Sequence, residues 1–315
     1  MKSLERLAHA LLACWMIAAC SGKTSDAAER SAAPTAPASV GAATLETAEA
    51  QFLESWAAYK RKFLESDGRI IDTNEGSPSH TEGQGSAMLF AVTADDRATF
   101  DQLWRWTQRN LQQPHGLFAW RYLPDARPNV ADKNNATDGD LMIAWALLRA
   151  AEQWDEKDYR TSASLIVRGM ERRLVRRLGE RAVLLPGAYA FEKEGGAIVN
   201  LSYFLFPAYE RAKSVGDAEL WAELYEDAAA LVAEARLGDH DLPSAWMFVT
   251  NEGALVPGPG PNYLPRFGYD AIRIPVYAAW GGLEAQADLA RFETFWAGFP
   301  DAGAPDHVDL VTGRI

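Results

Sequence analysis

Three short stretches place carboxylates where they could do proton chemistry. Ala136-Thr137-Asp138-Gly139-Asp140 opens an apolar run that continues as LMIAWALLRAAEQW to Trp154, and the loop before it, PDARPNVADKNN, is rich in turn formers. Those acids sit where a surface loop enters a core helix, and the partial positive charge of a helix N-terminus favours Asp138 and Asp140 as anions. In Ser79-His80-Thr81-Glu82-Gly83-Gln84-Gly85, a lone Glu82 stands among small residues ahead of AMLFAV, so a chain-like ligand can approach it closely. In Tyr269-Asp270-Ala271-Ile272-Arg273, Asp270 precedes Arg273 by three residues, the spacing of a helical ion pair. Positioned carboxyls of this kind suit general acid–base catalysis. Each also has a plain structural reading: Glu82 as a first-turn residue on the helix dipole, Asp270 as a helix cap bonded to Arg273.

The elements that must carry these acids are helical. Leu45, Ala48, Phe52, Trp56, Tyr59 and Phe63 recur every three or four residues and define one buried stripe. Similar patterns predict helices over about 82–94, 97–112, 137–153, 157–178, 201–213, 217–236, 270–280 and 284–298. Asp95-Asp96 and Asp217 stand at helix starts as caps. Strand-like runs are confined to 182–186 and 245–250. The fold class is therefore all-α, a succession of helical hairpins without a sequence repeat. Trp104, Trp106, Trp145, Trp221 and Trp296 fall in helical stripes and are expected in the core. The basic run from Arg168 to Arg177 reads as a solvated helix face.

The chain has 315 residues, 11 Trp, 10 Tyr and 13 Phe, ample for one helical domain. Residues 1–19 read as a secretory signal, and their apolar run is too short to span a bilayer. Ile17-Ala18-Ala19-Cys20 resembles a bacterial lipobox, which implies lipid attachment at Cys20, and Ser21 after it implies the outer membrane. Residues 20–44, rich in Ala, Ser, Pro and Thr, read as a flexible tether, and 45–315 as the catalytic domain. Cys14 and Cys20 are the two cysteines, so the domain is expected to hold no disulfide and no thiolate metal site. The net charge is −12, which repels nucleic acid and acidic polymers and is indifferent to a neutral polysaccharide.

The three acid-bearing stretches carry a resemblance. Ala-Thr-Asp-Gly-Asp-x-x-Ile-Ala-x-Ala-Leu-Leu-x-Ala-x-x-x-Trp at 136–154, Thr-Glu-Gly-Gln-x-x-x-Met at 81–88 and Tyr-Asp-Ala-x-Arg at 269–273 resemble, in family order, the motifs of the family 8 glycoside hydrolases. These are inverting endo-β-glycanases that include bacterial cellulases. The resemblance covers about 45–311 and implies an (α/α) barrel of six helical hairpins. Because family chains continue with a further helix, a sequence ending at Ile315 is expected to lack part of the last hairpin.

The resemblance implies Glu82 as general acid, Asp270 as base, and Asp138 as the group that binds the distorted sugar and helps hold the water. It also implies substrate contacts from Trp120, Tyr203, Tyr269 and Arg273, with Asp140 grouped beside them as a structural or supporting residue. Asn200-Leu201-Ser202-Tyr203-Phe204 departs from the family pattern at Leu201, where Pro is usual, and Ser244 stands where relatives carry Asp before Trp246. No cofactor or metal is implied, and the protein is expected to act as a monomer on a neutral β-linked polysaccharide in the periplasm.

Other reaction classes leave no trace. There is no Gly-x-Ser-x-Gly elbow, His-Glu-x-x-His, phosphate loop or Gly-x-Gly-x-x-Gly fingerprint. Asp132-Lys-Asn134-Asn-Ala136-Thr-Asp138 lacks the fifth ligand and sixth-place Gly of a calcium loop. Within the family reading, cellulose-like β-1,4-glucan leads chitosan, xylan and mixed-linkage glucan as substrate. Outside it stands a non-hydrolytic polysaccharide-binding envelope lipoprotein.

Overall fold

The computed structural model describes residues 42–73, 76–283, 287–299 and 305–315. The leader, Cys20 and most of the expected tether lie outside the described residues. Nine α-helices occupy the described part: α1 (Ala42–Phe63), α2 (Thr81–Thr93), α3 (Arg97–Leu111), α4 (Thr137–Trp154), α5 (Lys157–Arg173), α6 (Phe206–Ala212), α7 (Ala218–Glu234), α8 (Arg273–Trp280) and α9 (Ala290–Ala297). The first begins at Ala42, inside the segment expected to be tether. Phe52, Trp56 and Tyr59 of its stripe are buried as the periodicity predicts.

Two kinds of helix build the barrel. α2 and α4 are apolar on every face, and α4 buries every residue from Thr137 to Leu148. Such helices have no side to offer water and must lie inside. α2, α4, α6 and α8 pack on one another in that order, while α3, α5 and α7 pair with α2, α4 and α6 on the outside. The outer helices are amphipathic: α5 buries Tyr159, Ala163, Ile166, Val167 and Met170 and turns its charges to solvent. Because each outer helix returns the chain, the inner helices all begin at the same end. Asp96 and Asp217 cap α3 and α7, accepting from the Thr99 and the Glu219 and Leu220 amides respectively.

Glycine sets how closely α2 and α4 approach. A Cβ on Gly85 would lie 2.6 Å from Met142 Cβ, and one on Gly139 would collide with Thr81 Oγ1. Without a Cβ at these two positions the first turns of both helices come into contact, and that contact carries Glu82 to Asp138.

The β structure is small and peripheral. β1 (Ser79–His80) pairs with β2 (Arg121–Tyr122), β3 (Val175–Leu178) with β4 (Arg181–Leu184), and β9 (Arg266–Gly268) with β10 (His307–Asp309), all antiparallel. β5 (Glu192–Lys193), β6 (Gly196–Asn200), β7 (Trp246–Thr250) and β8 (Leu255–Pro257) form one antiparallel sheet in sequence order.

Several predicted boundaries change. The helix expected over 157–178 stops at Arg173, because Gly179, in a left-handed conformation, turns Val175–Leu178 back as a hairpin. Within that hairpin Arg176 and Arg177 pair with Glu192 and Glu223, so this end of the basic run is not a bare helix face. The helix expected over 201–213 divides into a 3₁₀ turn, Leu201–Tyr203, and α6, with Pro207 in the first turn of α6. α8 starts three residues after Asp270. β6 escaped prediction because all five of its residues are buried, which removes the alternation that marks a strand.

Asp140 belongs to this scaffold. It is fully buried, its oxygens accepting from the Phe118 amide at 2.9 Å and Asn135 Nδ2 at 2.8 Å. Burial pushes its carboxyl up to about 8 against those two hydrogen bonds, so burial and not the helix dipole decides its charge. Between about pH 4 and about pH 8 the folded chain therefore holds a proton that the unfolded chain releases, and stability falls as pH rises, by up to about 1.4 kcal/mol per pH unit. Asp140→Asn should remove that component: its unfolding free energy in urea should decline less steeply from about pH 5 to about pH 8 than that of the unsubstituted chain. Equal slopes would contradict the assignment.

Candidate active site

Three carboxylates, two from helix first turns and one from the turn after β9, meet on one cation. Arg273, the first residue of α8, donates from Nη1 to Glu82 Oε1 at 3.0 Å and to Asp138 Oδ2 at 3.5 Å, and from Nη2 to Asp270 Oδ1 at 2.9 Å. Glu82 lies in the first turn of α2 and Asp138 in the first turn of α4. Asp270 follows β9, which β10 holds in register. Asp138 is wholly enclosed, whereas the Glu82 side chain is 35% exposed and that of Asp270 55%. One buried acid thus stands behind two that a ligand can reach.

Glu82 and Asp138 hydrogen-bond each other. Two touching carboxyls cannot both ionise cheaply, so the pair shares a proton. Burial, then the negative charge of Glu82, raises Asp138 well above the usual carboxylate range. Burial would also raise Glu82, but the hydrogen bond with Asp138 and the Arg273 guanidinium overcome it and hold Glu82 below its usual value. The proton therefore rests on Asp138. The helix N-terminus was expected to keep Asp138 ionised; enclosure overrides the dipole.

Aromatic rings flank the acids. Tyr203 lies with its ring 5.9 Å from the Arg273 guanidinium, a cation–π distance. Its edge meets Trp246 at 6.0 Å, and Trp246 stacks on Phe191 at 5.9 Å. Tyr269 is 74% exposed at the rim, where its hydroxyl and Asp306 Oδ1 are 3.4 Å apart. Beside Asp270 opens a cavity of about 450 Å³ lined by Trp246, Asn262, Arg266, Tyr269, Asp306 and His307. Trp120 is half-buried and fixed: its ring stacks on His80 at 5.5 Å with the Arg121 guanidinium 4.5 Å from it, and its Nε1 donates to Asp132.

The structure thus brings Glu82, Asp138, Asp270, Arg273 and Tyr203 together, with Tyr269 at the edge and Trp120 beyond His80. Asp140, grouped beside the substrate contacts as a structural or supporting residue, has no exposed surface and supports the loop at Phe118. His80, Phe191, Asn200 and Ser202 carried no signal as site residues, although Asn200-x-Ser202 has the two-residue spacing of an Asx turn. Trp104, Trp106, Trp145 and Trp221 are buried in the core as expected, and Trp296 packs against it. Among the described residues no three His, Cys, Asp or Glu side chains are grouped to hold a metal ion; the three carboxylates pair with the guanidinium.

Acid–base carboxyls at the mouth of a barrel of helical hairpins, beside rings that can stack on sugars, define a glycoside hydrolase of the (α/α)-barrel class. Residues 35–315 match the profile of the glycosyl hydrolases family 8, and the chain belongs to that family. It is 42% identical over 262 residues to a "Probable endoglucanase" of Novacetimonas hansenii, covering 82% of this chain and 76% of that one. It is 40% identical over 262 residues to an endoglucanase of Cellulomonas uda, covering 83% and 72%. Among solved structures, endo-β-1,4-glucanase CMCax from Acetobacter xylinum superposes with a TM-score of 0.80 at 41% identity, covering 83% of this chain and 82% of that one.

Removing the proton's resting place has a defined consequence. In Asp138→Asn the proton must sit on Glu82, whose affinity for it is held low by Arg273. The alkaline limb of the kcat/KM profile should therefore move to lower pH, with turnover near neutrality falling about 100-fold or more. An unmoved limb would contradict the shared proton.

Proposed function

We propose that this chain is an endo-acting, inverting β-1,4-glucanase in which Glu82 is the general acid and Asp270 the general base. The observation that carries the reading is the single guanidinium that binds the Glu82–Asp138 pair through Nη1 and Asp270 through Nη2. That bridge limits the nearest oxygens of Glu82 and Asp270 to roughly 8 Å apart, compatible with the separation of about 6.5–9.5 Å that inverting enzymes use to admit a water. The family membership and the endoglucanase relatives support the same reaction and substrate class.

The reaction proceeds in one displacement. Desolvation by the entering polymer raises Glu82, which receives the proton held by Asp138 and passes it to the leaving glycosidic oxygen. Asp270 takes a proton from the attacking water as its oxygen bonds to the anomeric carbon, and the C–O bond to the leaving sugar breaks with inversion. Arg273 binds Asp270 and Glu82 and so positions both ends of this transfer. Asp138, wholly enclosed, stores the proton from behind Glu82, so the sugar contact that the resemblance implies for it is not open to its side chain. Tyr203, Tyr269 and Trp120 provide rings for neighbouring sugars, with Trp120 held by His80 and Asp132.

The basic leader, the apolar run and Ala18-Ala19-Cys20 support export and lipid attachment at Cys20, which would hold the domain in the periplasm at the outer membrane. Among the described residues no helix is long and apolar enough to cross a membrane. A net charge of −12 suits a neutral glucan over a polyuronate.

Viscosity and reducing-end assays on carboxymethylcellulose test the reading. Viscosity should fall ahead of reducing-end release, the mark of internal cleavage. Glu82→Gln and Asp270→Asn should each lower kcat by about 10²–10⁴-fold with smaller changes in KM. Full activity in either variant, or cleavage confined to chitosan or xylan, would overturn it.

A further inference from the structure

Arg273 has a further side-chain partner that none of the reasoning above uses. Its Nη2, which binds Asp270, also approaches Ser202 Oγ at 3.4 Å. Ser202 is fully buried on the 3₁₀ turn, and both of its donors are committed elsewhere: its amide and its hydroxyl each bond Asn200 Oδ1, at 3.0 and 2.7 Å. A serine hydroxyl has one proton and two lone pairs. With the proton given to Asn200, Ser202 can meet the guanidinium only as an acceptor.

We propose that Asn200 and Ser202 are positioning residues: they orient one buried hydroxyl as an acceptor that fixes the Arg273 guanidinium between the Glu82–Asp138 pair and Asp270. The proposal rests on the assignment of those carboxylates as the reacting set.

The need for such an anchor follows from the site. Arg273 hangs on a long side chain, and two of its three acidic partners are partly exposed and free to follow it. Asp138 gives one rigid reference on Nη1; Ser202 gives another on Nη2, and two references set the plane of the guanidinium. The anchor itself is rigid. Asn200 is the last residue of β6, paired with Trp246 of β7 inside the four-stranded sheet, and is 1% exposed. The next residue of the turn, Tyr203, lays its ring against the same guanidinium. One strand end and one 3₁₀ turn thereby transmit the geometry of the outer structure to a cation that binds all three acids. A simple turn cap would require only the bond from the Ser202 amide to Asn200; the hydroxyl bond and its direction toward Nη2 are additional.

The experiment compares Ser202→Ala, Ser202→Thr and Asn200→Ala with the unsubstituted chain, each shown to be folded by its melting transition. Two readouts are taken: NMR titration of isotope-labelled Asp and Glu carboxyls without substrate, and kcat and KM on carboxymethylcellulose across pH. In Ser202→Ala and Asn200→Ala the carboxyl titrations should shift, kcat should fall by about tenfold or more and KM should change by less than about twofold, because neither residue can reach a sugar. Ser202→Thr, which keeps the hydroxyl, should restore both the titration and kcat. Unshifted titrations in the alanine variants, or shifts that Ser202→Thr does not reverse, would overturn the proposal. If the unsubstituted chain cleaved no β-glucan, the assigned reaction would fall, while the substrate-free titrations would still decide whether Ser202 fixes the guanidinium.

Discussion

The bond network of Arg273 is the constraint on which the rest of the site depends. Three carboxyls within reach of one another repel, and one of them is fully enclosed. Without a cation the pair would gain a second proton or the first turns would part. The guanidinium suits the task because it is planar and presents several N–H donors in fixed directions. Nη1 faces two carboxyls that share a proton, and Nη2 faces a third. The two ends of one side chain thus hold the pair and the separate carboxyl in fixed relation.

The fold exists, at this end, to make that meeting possible. Inner helices that begin at a common face deliver their first turns to one place, and the absence of side chains at Gly85 and Gly139 lets α2 and α4 touch there. Two buried polar atoms without a hydrogen-bond partner lie in the same region: Thr81 Oγ1, beside Glu82, and Asn200 Nδ2, two residues from Ser202. Native interiors satisfy nearly all such groups, and exceptions gather where function is served at the expense of stability. Two residues beyond Asp138, Asp140 shows the complementary use of an acid, as a buried bracket that fixes the loop at Phe118.

Much of this was legible in the sequence, for physical reasons. An acid beside glycine at a loop-to-helix junction is a local pattern, and it marked Glu82 and Asp138; the i,i+3 spacing marked Asp270 with Arg273. The buried stripe of α1 and the Asp caps of α3 and α7 are likewise local. What could not be read depends on contacts between distant residues. Arg273 meets Glu82 across 191 positions and Ser202 across 71. The charge states of Asp138 and Asp140 were misjudged because a helix dipole is visible in sequence whereas enclosure is not. The helix predicted through Leu178 failed because tertiary pairing with Arg181–Leu184 outweighed a helical pattern at its end.

The central claim is that Arg273 holds a proton-bearing pair and a separate base with room for a water between them. The stereochemistry of the first product tests it most directly. Cleavage of a soluble β-1,4-glucan should be followed by proton NMR quickly enough to precede mutarotation. The account predicts that new reducing ends appear first as the α-anomer, because water attacks the face opposite the departing sugar. Reducing ends that appear first as the β-anomer would mean a covalent intermediate on one of the carboxylates, and would contradict it.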